Sequence, residues 1–149
     1  MKITLFTLLA IFVIMQFIPV EKTNPQYDKS KEFVFPAHIE PMIKSACYDC
    51  HSYDTVWPWY SAVAPMSYSI SKNVNHGRDA LNFSIWEEYD DEKKHKKMKE
   101  IFRAVYASMP LGDYIRFHPE ADLTKEQRAE IRTWAKEIID AKEVHKSPD

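Results

Sequence analysis

Cys47-Tyr48-Asp49-Cys50-His51 is the stretch whose residue types and spacing can do chemistry. Two thiols three positions apart can each bond one vinyl group of a single porphyrin, and a histidine directly after the second is placed to ligate the iron. The five residues therefore read as C-x-x-C-H, the attachment pattern of a c-type haem. Cys47 and Cys50 are the only two cysteines, so no third thiol competes for that reading. A structural zinc site needs about four ligands, and there is neither a second C-x-x-C nor a closely spaced histidine pair. A thioredoxin-like dithiol calls for a preceding strand and a βαβ setting, and no alternating Val/Ile/Thr run supplies one.

A histidine on one side of an iron leaves the other side to be filled. Ser108-Met109-Pro110-Leu111-Gly112-Asp113-Tyr114 is a Pro-containing loop downstream of the motif, and its methionine is placed to bring a thioether across the haem. Methionine more commonly fills gaps in a core. The rivals for the distal position are Met66 and a second histidine, from His38, His76, His95 or His118, with His118 the one closest in sequence to Met109. A closed His/Met iron implies a one-electron carrier of raised potential relative to bis-His. An open distal position implies instead a haem peroxidase or peroxidase-associated module, or a sensor of diatomic gases. The Pro-interrupted run Asp54-Thr55-Val56-Trp57-Pro58-Trp59-Tyr60 offers large flat rings, with Trp57, Trp59 and Tyr60 as candidates to keep water from a porphyrin.

These residues need a frame. The 149 residues suffice for one domain with a moderate core. With 20 basic and 22 acidic side chains the formal charge is -2, which calls for no nucleic-acid partner. Two glycines against nine prolines suit helices joined by stiff connections, so the expected fold is all-α. A short helix carrying Ile39, Met42, Ile43 and Ala46 should run into Cys47. A second should run from Ala64-Pro65-Met66 to about His76, closed by a left-handed Gly77. Ser84 is expected to cap a turn, and Asp90 or Asp91 a longer helix to Ser108 with a stripe of Met98, Ile101, Phe102, Val105 and Tyr106. Lys93, Lys94, Lys96, Lys97 and Lys99 crowd its first half; they read as a solvated face or as a dock for an acidic redox partner. Thr124-Lys125-Glu126-Gln127 fits a capping box, opening a last helix that buries Leu123, Ile131, Trp134, Ala135 and Ile138 against the helix before Cys47.

The amino end reads as a separate segment. After Lys2, Ile3 to Val20 are apolar apart from Thr4, Thr7 and Gln16, and as one helix they would span about 27 Å at about 1.5 Å per residue, enough to cross a bilayer. Small residues of a cleavage site are missing from Met15 to Val20. Residues 1–21 are therefore expected to be an uncleaved single-pass anchor in a bacterial inner membrane, with the haem domain in the periplasm. Residues 22–32 read as a tether, 33–142 as the haem domain and 143–149 as a tail.

Cys47-Tyr48-Asp49-Cys50-His51-Ser52, Trp57-Pro58-Trp59-Tyr60-Ser61 with Ala64-Pro65, Gly77-Arg78 with Leu81-Asn82-Phe83-Ser84, and Met109-Pro110 with Tyr114, His118-Pro119 and Ala121 together resemble the small bacterial haem-binding domain family of mono-haem c-type cytochromes. The likeness covers about Phe33 to Ile139. It implies one covalent haem c, His51 as proximal ligand, Met109 as distal ligand and an amino-terminal membrane segment. Asn82, Phe83 and Tyr114, from the blocks that carry the likeness, complete the expected pocket with Trp57, Trp59 and Tyr60. The partners expected of such a protein are other cytochromes or membrane redox proteins.

Overall fold

A computed structural model describes residues 1–146. Seven α-helices and four 3-10 turns follow one another, with no strand among the described residues. The helices are α1 (Lys2–Gln16), α2 (Glu40–Ala46), α3 (Tyr48–His51), α4 (Met66–Ala80), α5 (Asp91–Ala107), α6 (Gly112–Ile115) and α7 (Lys125–Lys146).

The expected start signals act as anticipated on the two long helices. Asp90 Oδ1 accepts the Lys93 N–H at 2.7 Å, opening α5. Thr124 and Gln127 form a reciprocal capping box, each accepting the other's backbone N–H, at 2.8 and 3.2 Å. Ser84 does not cap; its N–H is held by the side chain of Asn82, which opens the Phe83–Glu88 turn.

α5 and α7 pack along each other, so the partner of α7 is α5 rather than the helix before Cys47. Met98, Ile101 and Val105 of α5 meet Ile131, Trp134, Ala135 and Ile139 of α7 in the core, and Ile138 is only partly buried. Tyr106 stands 71% exposed, outside the expected stripe. It and Phe102 instead carry the Arg132 guanidinium over their rings. An aromatic cluster closes the core on the other side: Phe33 sits edge-on to Trp86 and Trp134, and Phe35 edge-on to Phe83. Most of the lysine run is paired. Lys94 reaches Glu87, Lys99 reaches Glu143, and the nearly buried Lys97 donates to the Ala80 carbonyl at the end of α4 while pairing with Glu100.

The amino end differs from expectation. Among the described residues no helix is long and apolar enough to cross a membrane, so the single-pass anchor, and with it the inner-membrane placement, is not supported. α1 has 15 residues, about 22 Å at 1.5 Å per residue, against a hydrocarbon core of about 30 Å. The apolar run is longer than the helix because Pro19 disfavours helical backbone at Ile18, and the helix ends at Phe17. Its last turn is tied to the domain: the Gln16 side chain accepts the Ala64 N–H at 3.0 Å and donates to Ala64 O at 3.3 Å, and Tyr68 donates to the Met15 carbonyl. The following segment lies along the domain, where Lys22 donates to Ser61 O and Asn24 to Thr55 O.

Candidate functional site

α2 ends at Cys47, whose N–H still donates to Ile43 O at 2.9 Å, and α3 begins with the next residue. Buried Ile39, Met42, Ile43 and Ala46 dock α2 on the core and so set where Cys47 points. The single turn of α3 cannot hold itself by length, and polar contacts brace it instead. Asp49 accepts the Val56 N–H at 2.8 Å and the Tyr114 hydroxyl at 2.7 Å, while Thr55 donates to Asp49 O at 2.6 Å. Arg78 donates to Ser52 O at 2.7 Å and to Thr55 Oγ1 at 2.8 Å.

α4 crosses directly behind this turn, and Gly77 is the reason that it can. A Cβ there would lie 2.3 Å from Cys50 O and 3.0 Å from the carbonyl carbon. Gly77 therefore does not close the helix in a left-handed conformation; α4 continues to Ala80, and neither glycine has positive φ. The close approach also delivers α4 carbonyls to the motif. His51 Nδ1 lies 2.9 Å from Gly77 O and 3.0 Å from Leu81 O. Carbonyls only accept, so Nδ1 carries the proton, and Nε2 keeps its lone pair for a metal. Burial pushes the His51 pKa below its usual value, which favours the same neutral ring.

In the haem-free protein this has a pH consequence. The unfolded histidine takes a proton below about pH 6.5, and the folded one resists it, so the contribution to stability is complete above that pH and is lost as pH falls below it. Urea midpoints at neutral pH and about one unit below pH 6.5 check this. The midpoint is expected to fall in the haem-free wild type and to fall less in haem-free His51→Asn; equal falls would contradict it.

Both cysteines are half-buried. Desolvation pushes Cys47 to about 12 and Cys50 to about 11, so they are protonated thiols, unlike the low-pKa thiolates of dithiol oxidoreductases. Among the described residues no group of three or more His, Cys, Asp or Glu is gathered as a metal-binding cluster.

Two adjoining cavities meet at the motif. One, of about 340 Å³, is lined by Cys47, Cys50, His51, His76, Met109 and Tyr114 among others. The second, of about 240 Å³, is walled by apolar side chains including Ile43, Phe83, Ile101, Val105 and Ile131, and shares Cys47, His51, Ala80, Met109 and Pro110 with the first. Met109 is brought there by its backbone: its N–H donates to Ala104 O at 2.8 Å, and Arg128 donates to Met109 O at 2.5 Å and Val105 O at 2.6 Å. Two thiols, a neutral imidazole with Nε2 free, a methionine lining the same cavities and largely apolar walls suit a haem.

The other sequence candidates fall into two groups. Phe83 is 1% exposed and sits edge-on to the His51 ring at 6.4 Å. Tyr114 lines the 340 Å³ cavity. Tyr60 and Met66 line a third cavity beside Cys50, which His51 and Met109 do not reach. Trp57, Trp59 and Asn82 line none of the three. Trp59 is 80% exposed, Trp57 donates to Asn24, and Asn82 is a buried cap. Among the histidines, His118 has both ring nitrogens engaged, Nε2 with Tyr60 at 2.6 Å and Nδ1 with Glu120 at 3.0 Å. His95 faces Glu143, His38 is exposed, and His76 lines the 340 Å³ cavity. Sequence reasoning missed the Gly77 and Leu81 carbonyls and the bracing Asp49, Arg78 and Arg128. The scarcity of glycine was the one available signal, and it marked Gly77 without saying what approached it.

A family model described as haem-binding domain matches residues 10–137 of the chain. No curated protein and no solved structure matches it.

Proposed function

Because the chain belongs to the haem-binding domain family, we propose that it is a mono-haem c-type cytochrome that carries one electron at a time, with Cys47 and Cys50 holding the haem covalently. His51 is the proximal ligand on this reading and Met109 the distal one. The observation that carries it is that His51 and Met109 line the same two cavities together with Cys47. A haem held between an imidazole and a thioether supplies reversible one-electron transfer at iron, at a potential raised by the thioether.

The chain's own part is to hold that geometry. The Gly77 and Leu81 carbonyls fix the His51 tautomer and ring plane. Arg128 and Ala104 fix the backbone of Met109, which limits its freedom to swing away. Phe83, Ile101, Val105 and Ile131 keep water from the inner side, which keeps the charge change at the iron in a low-dielectric setting. The exchange partners on this reading are other redox proteins.

Met109→Ala tests the distal assignment. The oxidised wild type is expected to show a thioether-to-iron band in the far red and its reduced form to bind carbon monoxide slowly; the variant is expected to lose the band and bind carbon monoxide rapidly. Rapid binding by the wild type, with a spectrum indifferent to Met109→Ala, would overturn the closed carrier in favour of an open-site peroxidase or gas sensor.

A further inference from the structure

The third cavity lies beside Cys50, at one side of the proposed haem site. Its volume is about 210 Å³, and its wall combines Cys50 with Met66, Ile70, Leu111, Phe117 and Tyr60. A cavity of about 150 Å³ lined by apolar side chains holds benzene, so one aromatic ring fits this space. His51 and Met109 do not line it, but it shares Cys50, Asn73, Leu111 and Tyr114 with the 340 Å³ cavity and so adjoins the proposed haem site.

The polar groups around it are organised for a proton. Tyr60, 6% exposed, has its hydroxyl 2.6 Å from His118 Nε2, and His118 Nδ1 lies 3.0 Å from the Glu120 carboxylate; a carboxylate only accepts, so Nδ1 carries the proton, and a neutral ring takes the Tyr60 O–H at Nε2. Tyr114 stacks on His118 at 4.2 Å and fixes its ring. Glu120 is exposed, so the chain runs from the cavity wall to solvent. Tyr60 lines the cavity, and its oxygen keeps acceptor capacity for a ligand hydroxyl. Asp49 cannot serve as freely, because its two carboxylate oxygens already accept from Val56 and Tyr114.

We propose that this cavity binds a single-ring hydroquinone-type donor, whose hydroxyl proton passes through Tyr60 to His118 as its electron passes to the ferric haem. The inference rests on the electron-carrier reading above. The ligand O–H bond breaks and its proton joins Tyr60 Oη, while the Tyr60 proton joins His118 Nε2, giving an imidazolium that faces Glu120. One electron would leave the donor for the ferric haem, so the donor would become a neutral radical; once a redox partner had reoxidised the haem and His118 had released its proton to solvent past Glu120, a second such event would complete its oxidation to the quinone.

The experiment uses the haem-loaded full chain with hydroquinone as probe and its dimethyl ether as the probe without O–H. Calorimetry is expected to show hydroquinone binding to the wild type and weaker binding of the ether. Ser69→Trp, at the exposed rim of the cavity, is expected to abolish binding. His118→Gln keeps an acceptor for Tyr60 but cannot take up its proton. It is expected to bind hydroquinone as the wild type does, to be reduced by it at least about tenfold more slowly, and to lose the solvent deuterium isotope effect. Reduction by hexaammineruthenium(II), which gives an electron without a proton, is expected to be unchanged. No calorimetric binding to the wild type, or equal hydroquinone reduction of wild type and His118→Gln, would overturn the proposal. Failure of the carrier reading would show separately, as a haem that hexaammineruthenium(II) does not reduce reversibly.

Discussion

Gly77→Ala is expected to lower the melting temperature of the domain by on the order of 10 °C and to impair haem attachment. The added Cβ would meet Cys50 O at 2.3 Å, Cys50 C at 3.0 Å and Cys50 Cβ at 3.1 Å. All three atoms belong to the motif residue itself, and two of them are backbone, so no flexible side chain can swing away. α4 must move off α3, and its movement draws the Gly77 and Leu81 carbonyls away from His51 Nδ1. Overpacking of this kind costs about 1–3 kcal/mol or more, and the lost bonds to His51 add to it. The other glycine is the internal control. Nothing lies within 4 Å of a Cβ at Gly112, so Gly112→Ala is expected to be neutral or slightly stabilising. Thermal unfolding of the two variants side by side checks the claim; a Gly77→Ala protein that melts with the wild type would contradict the close crossing of α3 and α4.

Phe83→Ala should be the most costly core truncation near the site, at about 3–5 kcal/mol. Phe83 is 1% exposed. It lies parallel to Tyr48 at 6.0 Å and edge-on to Phe35 at 5.0 Å and to His51 at 6.4 Å, so one ring ties the aromatic core to the motif. It already borders the 240 Å³ cavity, and truncation enlarges that space rather than letting the core collapse into it. Against a total stability of about 5–15 kcal/mol the loss is a large fraction. Urea unfolding gives the number, and a change below about 1 kcal/mol would mean that the ring is not the bridge described here.

What was legible in the residues follows from how local the governing physics is. Haem binding was readable because C-x-x-C-H has the spacing that haem attachment would need. The starts of α5 and α7 were readable because an N-cap is decided within a single turn, by Asp90 for one and by Thr124 with Gln127 for the other. Gly77 was misread for the complementary reason. A left-handed cap is the usual use of a glycine late in a helix, whereas its use here is the approach of Cys50, which no local pattern records. Trp57 and Trp59 looked suited to a haem by size and hydrophobicity. Which way each ring turns is decided by long-range partners such as Asn24, and Trp59 turns outward. The apolar run at the amino end was legible as hydropathy but not as length, since the helix ends before Pro19 and Gln16 ties it to Ala64. His118 stood in the sequence only as a rival for the distal position, and Tyr60 and Glu120 occupy both of its nitrogens.

On the proposed reading Cys47 and Cys50 bind haem covalently, with His51 beside them to hold the iron. Protein expressed together with a haem-attachment system, then fully denatured and freed of small molecules, tests it most directly. The account predicts that the chain stays coloured, with one haem per chain in its spectrum, and that Cys47→Ala/Cys50→Ala emerges colourless under the same treatment. A wild-type chain that loses its colour on denaturation as completely as the double variant would contradict it.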